Sequence, residues 1–388
     1  MIDLKQNKAF CILPFIHLHV NEGNNVKLCC FANEPAGAKK YTNDFDFNTD
    51  PDFQEVRTKL LAGERIPHCQ NCYNYEDGGA SSTRTRDSAE WLEKLQWTDA
   101  DNIKPNLVYY DIRNDNICNL SCRMCNPQSS SQIAKEYKKL NWSWHLGDTV
   151  QRGFGFNNVV DMDTVQSIQV AGGEPSLMPE FKTFLERAIK AGRTDIAIRM
   201  NTNATNLNKE YRELLGHFPN LDIICSIDGY DQVNKYIRWP ADWPTLVENI
   251  KELCKLTPRV AFNVTVSIWN ISSLSRLIDF FEQNHPGNHV LLNQVMYPTP
   301  QLPTTFPYKE IALTDLTKLT NSVFYKDNCS GFRSKVDYYI TAMQSTDVDL
   351  DALKMFFQYN DALDQARGIK LVDYIPELEQ ARSLIKDL

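Results

Sequence analysis

Three cysteines, Cys118, Cys122 and Cys125, crowd one short run of the chain, DIRNDNICNLSCRMCNP at residues 111–127, and the nearest other cysteines are Cys72 upstream and Cys225 downstream. Thiolates at this density are metal ligands. A structural zinc site takes four ligands, usually as two close pairs, and an iron–sulfur cubane also takes four thiolates, one per iron. A run that offers only three leaves one iron of a cubane open to a ligand that can itself react. For the triplet taken alone, a partial zinc site or simple buried thiols are the alternatives.

C-x3-C-x2-C with an open iron resembles the signature of radical S-adenosylmethionine enzymes. The resemblance implies a 4Fe–4S cluster on Cys118, Cys122 and Cys125 whose fourth iron is chelated by the amino and carboxylate groups of S-adenosylmethionine. It also implies that one electron splits the sulfonium, giving methionine and a 5′-deoxyadenosyl radical that abstracts a hydrogen atom. Further residues carry the likeness. GGEP, at Gly172, Gly173, Glu174 and Pro175, falls where the family has a glycine-rich turn for the amino end of the cofactor, and glycine permits the close approach and dihedrals such a turn needs. SIDG, with Ser226 and Asp228, and then Arg238 in YIRWP, resemble the family's polar contacts to the ribose and carboxylate. Asn201 and Asn203 in NTNAT, and Asn263, Thr265 and Ser267 in FNVTVS, fall at strand ends that could reach the ribose; satisfied strand-end polar groups are the alternative for these and for Arg238. Met124 departs from the pattern, which commonly has an aromatic residue before the last cysteine to stack on adenine; a thioether can also cover that ring.

A second set of thiols lies upstream. Cys11 precedes an extended run, Cys29 and Cys30 follow the turn after it, and Cys69 and Cys72 form a C-x2-C knuckle. A hairpin with a returning knuckle gathers four ligands, which closes a site. This set resembles the auxiliary-cluster module called SPASM, or its shorter form twitch, here placed before the radical domain and without the extra cysteine pairs of a full module. The resemblance implies one auxiliary 4Fe–4S cluster on Cys11, Cys29, Cys69 and Cys72, with Cys30 spare. A four-cysteine zinc ribbon is the competing reading. His17, His19 and His68 read as packing or supporting hydrogen bonds, and Cys225 and Cys254 as buried small side chains.

The elements that must position these residues alternate from Leu107 onward. Short apolar runs at 107–112, 165–170, 196–200, 221–227, 260–267 and 289–296 predict strands, and segments near 128–140, 179–191, 207–216, 243–256 and 272–284 predict helices. Repeated strand-then-helix units imply an α/β fold with a parallel sheet, an open, partial (β/α)6 TIM-like barrel. Its active site belongs at the C-terminal strand ends, where the triplet, GGEP, NTNAT and SIDG all fall. The expected organisation is an auxiliary module at 1–106, made of short extended pieces with little core of its own, a radical domain at 107–303, and a helical extension at 304–388 with a helix N-cap at Thr314 or Asp315.

Composition bounds the function. The formal net charge of −8 argues against a protein that mainly coats nucleic acid. Eleven cysteines without a recognisable export signal favour metal ligation over a disulfide framework and place the chain in the cytoplasm, and no apolar run is long enough to span a membrane. Hydrogen abstraction by a radical needs no general base, so no catalytic residue set is assigned. The resemblance implies oxidation or crosslinking of a peptide or protein side chain, served by a flavodoxin- or ferredoxin-type electron donor. Dehydrogenation or rearrangement of a small polar metabolite, and a non-catalytic iron–sulfur redox protein, are the alternatives. Cys329 is a candidate hydrogen-atom donor, with a free loop thiol as the alternative.

Overall fold

The computed structural model describes residues 7–21, 23–33, 39–78, 81–97, 103–113, 115–142, 155–295, 298–328 and 331–386. Cys329 lies outside them. The chain forms two compact units: Met1–Asn116 with Asp148–Arg199 and His217–Asn220, and Ile117–Gly147 with Met200–Gly216 and Leu221–Leu388.

In the first unit β1 (His17–Val20) pairs antiparallel with β2 (Val26–Lys27) and parallel with β3 (Tyr109–Ile112), which pairs parallel with β4 (Ser167–Val170). The register aligns His17 with Tyr109 and Ser167, and His19 with Asp111 and Gln169, so one face of this sheet is polar. The alternate residues Leu18, Val20, Tyr110, Ile112, Ile168 and Val170 make the other face apolar, and all are buried. Parallel strands covered on both faces are the expected outcome. The apolar face of the helix Pro179–Lys190 repeats at Phe181, Phe184, Leu185 and Ala188, the three-and-four spacing of a buried stripe.

The amino-terminal segment is more helical than its sequence leads one to expect, with helices at Pro51–Leu61, Gln70–Asp77 and Thr83–Leu95. Asp50 caps the first by accepting from the amides of Asp52 and Phe53, and Ser82 with Thr85 forms a reciprocal capping box on the third.

β5 (Ala197–Thr202) carries the chain from the first unit into the second. There β6 (Leu221–Ser226), β7 (Val260–Val266) and β8 (His289–Gln294) pair in parallel. Their burial alternates, with Ile223, Cys225, Phe262 and Val264 inward to the core, while Ser226, Asn263 and Thr265 share the opposite, half-exposed face. The tail is helical, including Lys309–Leu319, Phe332–Ser345 and Leu350–Arg367. Thr314 and Asp315 fall inside the first of these and cap nothing there. Asp315 is buried and instead accepts from the amide (2.9 Å) and hydroxyl of Ser275 (2.5 Å), at the start of the helix Leu274–Asn284. Its cap is spent on another helix, a pairing that local spacing does not reveal. Among the described residues no helix is long and apolar enough to cross a membrane.

Candidate active site

The loop after β3 carries Cys118, Cys122 and Cys125, all half-buried. Donors from its own unit reach the sulfurs. The Leu120 amide lies 3.4 Å from Cys118 Sγ, Asn203 Nδ2 lies 3.9 Å from the same atom, and Arg238 Nη1 lies 4.0 Å from Cys122 Sγ. Asn203 is fixed in turn: its Nδ2 donates to Asn119 Oδ1 (2.9 Å) and its Oδ1 accepts from the amide and hydroxyl of Thr205 (2.9 and 2.7 Å). Burial pushes the Cys122 thiol up to about 12, against the pull of Arg238. Burial raises Cys125 as well, and the neighbouring Cys122 and Cys118 add to it. Thiols that resist ionisation alone yet repel one another as thiolates are suited to a positive metal body between them.

Arg238 owes its place to Asp228. This aspartate, fully buried at the end of β6, accepts from the Thr265 amide at Oδ1 (2.7 Å), while Oδ2 lies 2.6 Å from Arg238 Nε. Its own amide donates to Asn234 Oδ1 (3.0 Å), and its carbonyl accepts from Asn270 Nδ2 (2.7 Å). Although burial works against the charge on Arg238, Asp228 first and Cys122 second sustain it. Of the remaining expected contacts in this unit, Asn263 Oδ1 accepts from Asn293 Nδ2, Ser226 and Met124 are half-buried, and Thr265 serves through its backbone. Asn201 Oδ1 is buried without a hydrogen-bond partner. Such an acceptor costs about 1–3 kcal/mol until a donor reaches it, and the hydroxyl and ammonium groups of S-adenosylmethionine are donors of the required kind. The three thiols and this orphaned acceptor are groups of the chemistry that such a cluster and its cofactor would need.

In the first unit the GGEP turn is built on Asp115, whose carbonyl accepts from the Gly173 amide (3.0 Å). Gly172 has φ of +121°, and a Cβ there would stand 2.8 Å from that carbonyl, so the turn admits only glycine. Glu174 is buried, and its Oε1 accepts from the amide (3.2 Å) and hydroxyl (2.8 Å) of Ser176, a cap for the single turn that Pro175 begins.

Cys11, Cys29, Cys69 and Cys72, from three stretches of the same unit, line one solvent-open pocket. Cys30 does not line it; its thiol bonds Asp111 instead. Burial, then Cys72, pushes the Cys69 thiol up to about 12, and Cys11 is raised by burial, Cys69 and Cys29. Arg84, beside the cavity, pairs with Glu76 and donates to the Phe10 carbonyl. Among the described residues no three His, Cys, Asp or Glu side chains converge on a point as one ion requires. Nearby, His19 Nδ1 lies 3.0 Å from Asp111 Oδ2, and His17 Nδ1 bonds the Leu28 carbonyl (3.0 Å). Burial pushes the Asp111 carboxyl up, but Arg113 and then His19 prevail and hold it well below the usual carboxylate range.

The α/β fold with a parallel sheet, and the three-cysteine loop at the end of a strand, are the features expected of a radical S-adenosylmethionine domain. The model of the Radical SAM superfamily matches residues 116–281. The sporulation killing factor maturation protein SkfB of Bacillus subtilis (strain 168) is 26% identical over 165 residues, 42% of this chain and 37% of SkfB. Among solved structures, native anSMEcpe with bound AdoMet is 15% identical over 57% of this chain and 61% of its own, with a TM-score of 0.42. Streptococcus suis SuiB bound to precursor peptide SuiA is 14% identical over 77% of this chain and 65% of its own, with a TM-score of 0.35. The match thus spans little more than a third of SkfB.

Proposed function

We propose that this chain reductively cleaves S-adenosylmethionine and uses the outcome to oxidise or crosslink a side chain of a peptide or protein, with a second, auxiliary 4Fe–4S cluster on Cys11, Cys29, Cys69 and Cys72. The observation that carries the reading is a three-thiol loop in one unit and a four-thiol cavity in the other. When bound, the first cluster supplies one electron to the sulfonium, releasing methionine and a 5′-deoxyadenosyl radical that takes a hydrogen atom from substrate. The chain's own part is to leave one iron without a protein ligand, to aim Asn203 and Arg238 at the ligand sulfurs, and to present Asn201 as an acceptor. The likeness of this cysteine set to the SPASM or twitch module favours a cluster over a four-cysteine zinc ribbon in the first unit. A maturation protein acts on another protein or peptide, and the likeness to SkfB favours that substrate class here. Residues 1–106 then supply an auxiliary module of SPASM or twitch type placed before the radical domain, and a flavodoxin- or ferredoxin-type protein supplies the electron.

Anaerobic reconstitution tests the reading. With a reductant and S-adenosylmethionine, the chain is expected to release 5′-deoxyadenosine, and Cys122→Ala to reduce that release to background. A candidate peptide deuterated at the reacting position should pass label into the deoxyadenosine. Clusters without any cleavage would mark an electron carrier, and label drawn only from a small metabolite would move the substrate class.

A further inference from the structure

Arg123 stands between two proposed ligands, Cys122 and Cys125, and its side chain is fully buried and bonded to residues far along the chain. Its Nη1 donates to Asn360 Oδ1 (3.0 Å), its Nη2 pairs with Asp364, its Nε donates to the Tyr236 carbonyl (2.9 Å), and the guanidinium stacks 3.5 Å from the centre of the Tyr236 ring. The backbone is held as firmly. The Arg123 amide donates to the Ile237 carbonyl (2.8 Å), and its carbonyl accepts from the Tyr359 hydroxyl (2.5 Å). On the other side of Cys122, the Ser121 amide donates to the Trp239 carbonyl (2.6 Å) and the Ser121 carbonyl accepts from Arg367 Nη2 (2.8 Å). The acceptors on the tail are themselves fixed: Asn360 Oδ1 also receives Trp269 Nε1 (3.1 Å), and the Tyr236 hydroxyl reaches Asp364 (3.1 Å).

We propose that Asp364 and Asn360, on the helix Leu350–Arg367, are positioning residues for the cluster loop, acting through Arg123 to hold Cys122 and Cys125 at the separation a cubane face requires. A buried ion pair contributes little net stability compared with an apolar pair of similar volume. What it does supply is direction, because a guanidinium drawn away from its carboxylate inside the protein leaves a charge unpaired. A cluster with three protein ligands lacks the fourth tether that normally retains it, and the clamp behind the loop stands in for that tether by keeping the three thiolates in place. The inference rests on reading residues 118–125 as a cluster loop.

The test compares wild type, Asp364→Asn, Asp364→Glu and the double variant Arg123→Met/Asp364→Leu, all reconstituted. Two readouts are taken: hydrogen exchange at the Ser121 and Arg123 amides against those of β7, and the rate at which a chelator removes the S-adenosylmethionine-responsive EPR signal. Asp364→Asn is expected to speed both loop exchange and signal loss at least tenfold with β7 unchanged, and Asp364→Glu, which keeps the counter-charge, to slow both again. If Asp364→Asn does not fold, the double variant decides, since it leaves no buried charge unpaired and should show the same fast loop. Loop exchange and signal loss at wild-type rates in the double variant would overturn the proposal. A wild-type signal indifferent to S-adenosylmethionine would instead overturn the functional reading, while the exchange data still judge the clamp.

Discussion

One guanidinium, that of Arg238, is the main charge working against burial at Cys122. Arg238 reaches its sulfur and is held by Asp228, which is anchored by the Thr265 amide. Hydrogen bonds and positive charge at a ligand sulfur favour the more negative, reduced cluster. Arg238→Gln should therefore make the cluster harder to reduce, seen as a more negative midpoint in an EPR-monitored redox titration. Loss of such a supporting contact typically costs about 10–100-fold in activity or metal affinity, and 5′-deoxyadenosine release should fall within that range. The thiol triplet itself was legible, because three ligands within one loop need no tertiary information. Asp228 was legible as a polar group at a strand end, but not as the holder of Arg238, because spacing does not say how each carboxylate oxygen is used. Arg123 carried no signal at all: its partner Asp364 lies 241 residues away.

The elements were read well where their pattern is local and poorly where burial overrides it. The helix Trp243–Leu256 matches its expected bounds, with Asp242 as cap and Pro244 in the first turn. β1 was missed as a sheet member. His-Leu-His-Val alternates like a strand with one wet face, yet all four residues are buried, because the polar face of this sheet is covered too. That burial has a titration consequence. Burial lowers His17 from 6.5 to about 4. Between those values the unfolded chain binds a proton that the folded chain refuses, so stability falls as the pH falls through this window and the loss levels off below it. The shift corresponds to about 3 kcal/mol. Urea unfolding between pH 7 and 4 should show that loss in wild type and a smaller one in His17→Gln.

At the scale of the whole molecule, the two thiol sets reside in different units, so each can be emptied separately. Reconstituted wild type should hold about eight irons per chain, two cubanes' worth. Cys69→Ala/Cys72→Ala should hold about four and still split S-adenosylmethionine, while losing oxidation of the substrate; iron and sulfide assays with product analysis check both. Zinc in place of the missing iron in wild type would assign the first unit a ribbon instead. The alternation of strands and helices made the α/β class legible from Leu107 onward, whereas β1 entered the sheet unforeseen because its neighbour β3 comes so much later in the chain.

That late neighbour bears on how the protein is made. Synthesis delivers the amino-terminal end first, so the β1–β2 ribbon and every thiol from Cys11 to Cys72 leave the ribosome before Tyr109–Ile112 exists to receive β1. A lone two-stranded ribbon is marginal in water, and a bound metal centre contributes folding free energy of its own. If Cys11, Cys29, Cys69 and Cys72 hold the proposed cluster, its early loading would keep the ribbon ready for its parallel mate, and in iron-starved cells nascent chains would wait longest with that histidine-bearing edge uncovered.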